Sequence, residues 1–170
     1  DVQAIMDSPF IASAELICWK YEVEDVVYSI WILGPQNLDK AKISSHFKAF
    51  TEAQVKAFGS IPCKEYQFLF EMPEEVVRHG VEHSASTVIA MGPGLDYSHG
   101  EGYRELLGIS SHELYHTWNV KNIRPKEMMP YDFSKENYSK LGYVTEGVTT
   151  YFGDQFLVRS GVFSKIEYLV

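Results

Sequence analysis

The apolar positions along this chain follow two different periods. From Ala14 to Met91 they come in short runs rich in β-branched and aromatic residues. Leu16–Val23, Val26–Leu33, Tyr66–Met72 and Ser86–Met91 each read as a strand. One helical stretch interrupts them. Over Leu38–Phe58, the residues Ile43, Phe47, Phe50 and Phe58 fall near helical spacing, with Asn37 the expected N-cap and Gly59 and Pro62 marking the end. From Glu101 onward the period is helical, over Tyr103–Val120 and again over Val144–Ser160, which Gly161 closes. Strands followed by helices predict an α+β domain. Two turn-rich segments punctuate the pattern: Gly92–Gly100 divides the halves, and Asn119–Leu141, carrying Pro125 and Pro130, joins the last two helices.

Composition bounds the partners. The 170 residues suit one domain spanning 1–170, and 45% apolar content with 11 Tyr, 10 Phe and 3 Trp favours a packed core over disorder. A formal net charge of -8 without any basic run argues against nucleic acid or an anionic membrane as partner. No stretch approaches the ~20 apolar residues that span a bilayer. Cys18 and Cys63 show no metal-ligand spacing, and Cys18, inside Glu15-Leu-Ile-Cys-Trp19, reads as a buried free thiol. The compartment stays open. The chain starts at Asp1 without a signal-peptide pattern and reads as a piece of a longer protein.

The chemistry concentrates in residues 112–116, His-Glu-Leu-Tyr-His. On a helix His112 and His116 project from one face, where two imidazoles grip one zinc ion and the glutamate between them is left to work on a bound water. Leu106, Leu107, Leu114 and Trp118 form a separate apolar stripe, so one face packs while the other meets a cleft. In this scheme Glu113 is the general base and then the general acid, passing the water proton to the leaving amine. A catalytic zinc takes three protein groups. Glu146, opening the last helix, is the preferred third ligand, with Glu127, Asp132, Glu136 and Asp154 as alternatives that spacing does not remove. Thr149, Thr150 and Asp154 are candidates to hold the ligating histidines in place. His46, His79, His83 and His99 receive no role.

Two segments carry a family resemblance. His112-Glu-Leu-Tyr-His-Thr-Trp-Asn-Val-Lys-Asn-Ile-Arg-Pro125, followed by Glu146-Gly-Val-Thr-Thr-Tyr-Phe-Gly-Asp154, resembles the glycyl aminopeptidase family. Met6-Asp-Ser-Pro-Phe10 is similar to the start of that family's catalytic domain. The resemblance implies a thermolysin-like metallopeptidase catalytic domain of the gluzincin group, with one zinc per chain on His112, His116 and Glu146. It also implies an aminopeptidase acting on peptides with a free N-terminus. The family's Gly-x-x-Glu segment on a cleft-edge strand is matched by His79-Gly-Val-Glu-His83, which implies that Glu82 holds the substrate α-ammonium. His79 and Val81 depart from the commoner residues there.

The family's further helical subdomain and its PDZ module have no counterpart in these residues. The tyrosine that stabilises the oxyanion in related enzymes maps to none of Tyr115, Tyr131, Tyr143 or Tyr151. The expectation is a domain that folds and binds zinc but is weak as a peptidase by itself, since one lost oxyanion donor costs on the order of 10²–10³ in rate. Two rivals stand beside this reading: a zinc endopeptidase that does without Glu82, and a zinc-bearing binding module with little catalysis.

Overall fold

The computed structural model describes residues 2–35 and 37–169, so Asp1, Gln36 and Val170 of the expected 1–170 domain lie outside the described residues. Five strands form one mixed sheet: β1 (Ile17–Val23), β2 (Val26–Leu33), β3 (Glu65–Glu71), β4 (Val77–Glu82) and β5 (Ser86–Gly92), in the order β1-β2-β3-β5-β4. β1 and β2 make a hairpin that closes at Val23 opposite Val26, with Glu24 at φ 51 supplying the left-handed backbone of a two-residue turn. β2, β3 and β5 run parallel, and β4 pairs antiparallel with β5. The parallel β2–β3 pair needs a crossover, and α2 (Lys40–Phe58) provides it.

The periodic runs become the expected strands to within a residue or two. β4 is the exception. Its sequence, Val-Arg-His-Gly-Val-Glu, lacks apolar alternation because it is an edge strand with no buried position. The helix cap also differs from expectation. Asp39, not Asn37, caps α2, because the Asp39 carboxylate reaches the Lys42 amide at 3.0 Å while Leu38 turns into the core. Gly59, at φ 83, closes the helix by returning its N–H to the Val55 carbonyl.

The core lies between one face of the sheet and the helices. Phe47 of α2 is fully buried and meets Phe68 edge-on at 5.0 Å, among Tyr28, Ile30, Ile32 and Phe70. The helices α3 (Gly100–Tyr115) and α4 (Thr149–Arg159) join this layer, flanked by the short α1 (Val2–Met6) and α5 (Lys165–Leu169). A buried relay registers three of them. Gln54 Nε2 donates to Ser111 Oγ at 2.9 Å, and Ser111 Oγ donates to the Gly153 carbonyl at 2.7 Å, tying α2 to α3 and α3 to α4. Gly153 permits the close approach, since a Cβ there would stand 3.0 Å from His112 Cα.

The two helices of the metal site differ from expectation, the first in where it ends and the second in the type of its opening turn. The first ends at Tyr115 instead of Val120. Past that end the Thr117 and Trp118 amides reach back three residues rather than four, the Asn119 amide still returns to Tyr115, and Val120 then takes φ 141, which no helix continues. The second begins as a π-helical turn, Tyr143–Val148, before α4.

Candidate functional site

Sheet edge and helices enclose a cleft of about 710 Å³, walled by Arg78–Glu82 of β4 on one side and by Gly108, Ile109, His112, Glu113 and His116 on the other, with Glu146, Thr150 and Asp154 across from them. The four-residue spacing of His112, in the last turn of α3, and His116, the αR residue that caps it, places both ring Nε2 atoms on the cleft face, 3.0 Å apart. Leu106, Leu107 and Leu114 of the same helix are buried on the other face, and Trp118 packs just beyond its end.

The Glu146 carboxylate crosses the cleft to them. Its Oε2 stands 3.4 Å from His112 Nε2 and 3.5 Å from His116 Nε2. Three donors held about 2.0–2.1 Å from one centre at tetrahedral angles lie roughly 3.3 Å apart. The observed triangle therefore fits a single first-row cation. His112, Glu113 and His116 also form a compact set, with one donor atom from each within 4.8 Å of the others. This group can hold a metal.

The second nitrogen of each imidazole is also engaged. His116 Nδ1 faces the Asn119 carbonyl at 2.9 Å. A carbonyl only accepts, so Nδ1 carries a proton; in the neutral ring Nε2 then offers its lone pair to the cleft, and only the imidazolium donates from Nε2 to Glu146. His112 Nδ1 lies 3.3 Å from Thr150 Oγ1, and Thr149 Oγ1 lies 3.5 Å from His116 Nδ1. Hydrogen bonds from the two histidines hold the Glu146 carboxyl well below the usual carboxylate range. Burial alone would lower the His116 pKa, but the hydrogen bond to Glu146 and the negative charges of Glu82 and Glu113 raise it overall.

Glu113 is in a different environment. It is 4% exposed, and burial pushes its carboxyl up to about 7 against the opposing pull of His116 and His112, with Glu82 adding to the rise. One oxygen, Oε2, lies 3.2 Å from the Thr87 hydroxyl of β5. The other lies against Gly80, where any Cβ would overlap it. A carboxyl that titrates near neutrality beside a donor triangle is fitted to take and return a proton.

Glu82 lies two residues along β4 from Gly80, on the cleft wall. Among the other sequence candidates, Asp154 lines the cleft, with burial raising its carboxyl against the pull of His112 and Arg78. Glu127, Asp132 and Glu136 lie exposed on the 119–141 segment, outside the cleft lining. Tyr115 is buried and stacks on Phe152, while Tyr143 and Tyr151 are exposed. Among the described residues, no tyrosine lines the cleft. His46, which received no role, is half-buried and hydrogen-bonded to the Tyr103 hydroxyl at 3.0 Å. Cys18 and Cys63 are free, and both are half-buried.

Sequence reading passed over three contributors. Thr87 looks like any strand residue until the sheet turns it toward Glu113. Gly80 stood inside a noted segment, yet its need for zero side-chain volume shows only once Glu113 packs against it. Asn119 carried no signal beyond its place three residues after His116.

Residues 105–170 match the family model described as M61 glycyl aminopeptidase. The chain is also similar to the solved structure of an aminopeptidase N family protein from Idiomarina loihiensis, with a TM-score of 0.83 and 27% sequence identity, covering 91% of this chain. It spans 27% of the length of that protein. No curated protein matches it. The resemblance to the glycyl aminopeptidases read from the sequence is borne out, and so is the α+β fold class, through an aminopeptidase-family neighbour.

Proposed function

We propose that this chain is the core of a zinc-dependent aminopeptidase with a thermolysin-like site, in which residues 1–170 contribute the catalytic cleft. The carrying observation is the triangle of His112 Nε2, His116 Nε2 and Glu146 Oε2 with Glu113 beside it in one cleft. His112, His116 and Glu146 would hold the ion, one per chain. Glu146 is preferred to Glu113 as the third ligand because its carboxylate already contacts both imidazoles, whereas the Glu113 oxygens face Thr87 and Gly80. Two neutral nitrogens and one carboxylate are a donor set suited to zinc. Bound there, zinc supplies a Lewis acid that acidifies a water and polarises the scissile carbonyl.

This chain's own groups do the rest. Glu113 takes the proton of the attacking water and hands it to the departing amine nitrogen as the C–N bond breaks. The outer side of β4 is the free edge of the sheet, and an extended peptide laid along it would add one more strand, with Gly80 level with Glu113. Glu82, two residues along, would pair with the substrate α-ammonium and fix the cut at the first peptide bond. The endopeptidase reading has no use for that carboxylate.

Zinc content and peptidase activity together test the proposal. The expected result is close to one zinc per chain, lost in His112→Ala and sharply reduced in Glu146→Ala. Glu113→Gln should keep its zinc while losing turnover of aminoacyl substrates on the order of 10²–10⁴-fold. Full zinc in Glu146→Ala would refute that ligand. Cleavage of N-acetylated and free peptides at equal rates would favour the endopeptidase. Zinc without turnover of any peptide would favour the binding module.

A further inference from the structure

Asn119 bonds one of the two histidines and the turn that carries Glu146. Its backbone carbonyl accepts the His116 Nδ1 proton at 2.9 Å. Its side-chain Nδ2 donates at 2.8 Å to the Val144 carbonyl and at 2.9 Å to Thr149 Oγ1, with the Thr145 carbonyl at 3.5 Å. The orientation of this amide is determined. The Thr149 hydroxyl spends its own hydrogen on the Thr145 carbonyl at 2.6 Å, so toward Asn119 it can only accept, as can Val144 O. A flipped amide would set oxygen against oxygen. The residue is 9% exposed, so these bonds are shielded from water.

The acceptors belong to the turn that carries Glu146. Tyr143–Val148 is π-helical, and such turns hold one more residue than the α-helix and persist where something stabilises them. Relaxation to α-helical bonding would rotate the preceding residues by roughly 100° about the axis. That would take the Glu146 carboxylate away from the imidazoles. Asn119 bonds the turn at Val144 and, through Thr149, at its junction with α4.

A second observation is independent of the hydrogen bonds. Val120, the next residue, is 2% exposed and holds φ 141, a backbone conformation that a β-branched residue adopts only under constraint. Strain of this kind gathers where the surroundings over-determine a geometry. Here the chain reverses just past α3, with the Lys121 amide returning to the His116 carbonyl at 3.0 Å and the Ile123 amide to the Trp118 carbonyl at 2.8 Å. The reversal aims the Asn119 carbonyl back at His116 while its side chain reaches forward to the Glu146 turn.

We infer that Asn119 is a positioning residue that sets the Glu146 turn against the two histidines, so that its side chain tunes metal affinity through Glu146. The inference rests on the zinc reading above. It goes beyond that reading by assigning the alignment of the third ligand to one amide that never touches the ion. Removing a partner that orients a metal ligand typically costs 10–100-fold in affinity.

The test is a double-mutant cycle read by zinc affinity, in competition with a chromophoric chelator, in the chain bearing Asn119→Leu, Glu146→Gln or both. Asn119→Leu keeps the approximate volume and removes the donor. Expected is a 10–100-fold weaker zinc constant in the native background and less than about 3-fold in the Glu146→Gln background. A merely structural role would weaken binding equally in both backgrounds, and that result overturns the inference. Unchanged affinity in Asn119→Leu overturns it too. Circular dichroism of the metal-free proteins identifies a variant that fails to fold. In that case Thr149→Val, which deletes one acceptor of the Asn119 amide while keeping the shape, must give the same background dependence. Failure of native protein to bind zinc overturns the metal reading itself, whereas native zinc binding with an unaffected Asn119→Leu overturns only the inference.

Discussion

At the residue scale, the cleft depends on how little room surrounds Glu113. Gly80 can carry no Cβ without overlapping the Glu113 carboxylate. Gly80→Ala should therefore swing that side chain away from its position over the cleft. Displacements near 1 Å at a catalytic group cost about 10²-fold. Turnover should fall by roughly that factor, while zinc content, measured by elemental analysis, stays at the native level. Glu82→Gln probes the amine end. Hydrogen bonds to charged groups are worth about 1.5–3 kcal/mol, so KM for free-amine substrates should rise roughly 10–100-fold with little change in kcat. Steady-state kinetics with and without an N-terminal block checks it, and a rise shared by blocked substrates would contradict the role given to Glu82. These side chains were partly legible in the sequence. The His-x-x-x-His spacing alone puts two imidazoles on one helix face, whereas Thr87 and Asn119 became visible only where distant segments met.

At the element scale, the helices are registered by polar relays inside an apolar layer. Gln54, Ser111 and Gly153 link α2, α3 and α4. Gln54→Leu would take the buried donor away from the Ser111 hydroxyl oxygen, as well as a second donor from the Ser111 carbonyl, and loosen the seat of His112. An orphaned buried partner costs about 1–3 kcal/mol. Urea unfolding of metal-free protein should show that loss as a lower midpoint at unchanged slope. Zinc affinity should weaken alongside it, since α3 carries His112 and α4 continues the turn that carries Glu146. The period of the apolar residues foretold most of these elements, because a half-buried strand or helix must repeat its apolar positions to face one core. It failed at β4, at the end of the first metal-site helix and at the opening turn of the second for one physical reason. An edge strand, a strained reversal at Val120 and a π-helical turn are maintained by partners far away in sequence, and the local pattern does not record them.

At the scale of the whole molecule, the start of the chain is fastened to its middle. The Asp7 carboxylate receives the Lys121 ammonium at 2.7 Å and the Ser84 amide at 3.1 Å, beside Glu82 and just after the reversal that holds His116. Burial pushes the Asp7 carboxyl up, but the bonds from Lys121 and Ser84 outweigh it and leave the folded pKa below 3.8. With the folded value depressed, the stabilisation is complete above the unfolded pKa and fades as pH falls below about 4. Asp7→Asn should cost about 1.5 kcal/mol at pH 7, the low end for a hydrogen bond to a charged group, and the gap to native protein should narrow toward pH 3. Thermal unfolding followed across that range checks the sign. A gap that widens on acidification would contradict it.

Sequence by itself determined what depends on spacing along one segment. The α+β order of elements, the two imidazoles on one face with Glu113 between them, and the apolar faces that bury α2 and α3 all follow from local periodicity and residue chemistry. Family resemblance pointed to Glu146 and Glu82. Tertiary structure alone decided that the Glu146 carboxylate meets both imidazoles, that Gly80 and Thr87 flank Glu113, and that Asn119 bonds both His116 and the turn that carries Glu146. The reason is reach. A side chain selects its local conformation from its neighbours along the chain, but a site assembled from residues 80, 113 and 146 exists only once the sheet edge and two helices have packed around one cleft.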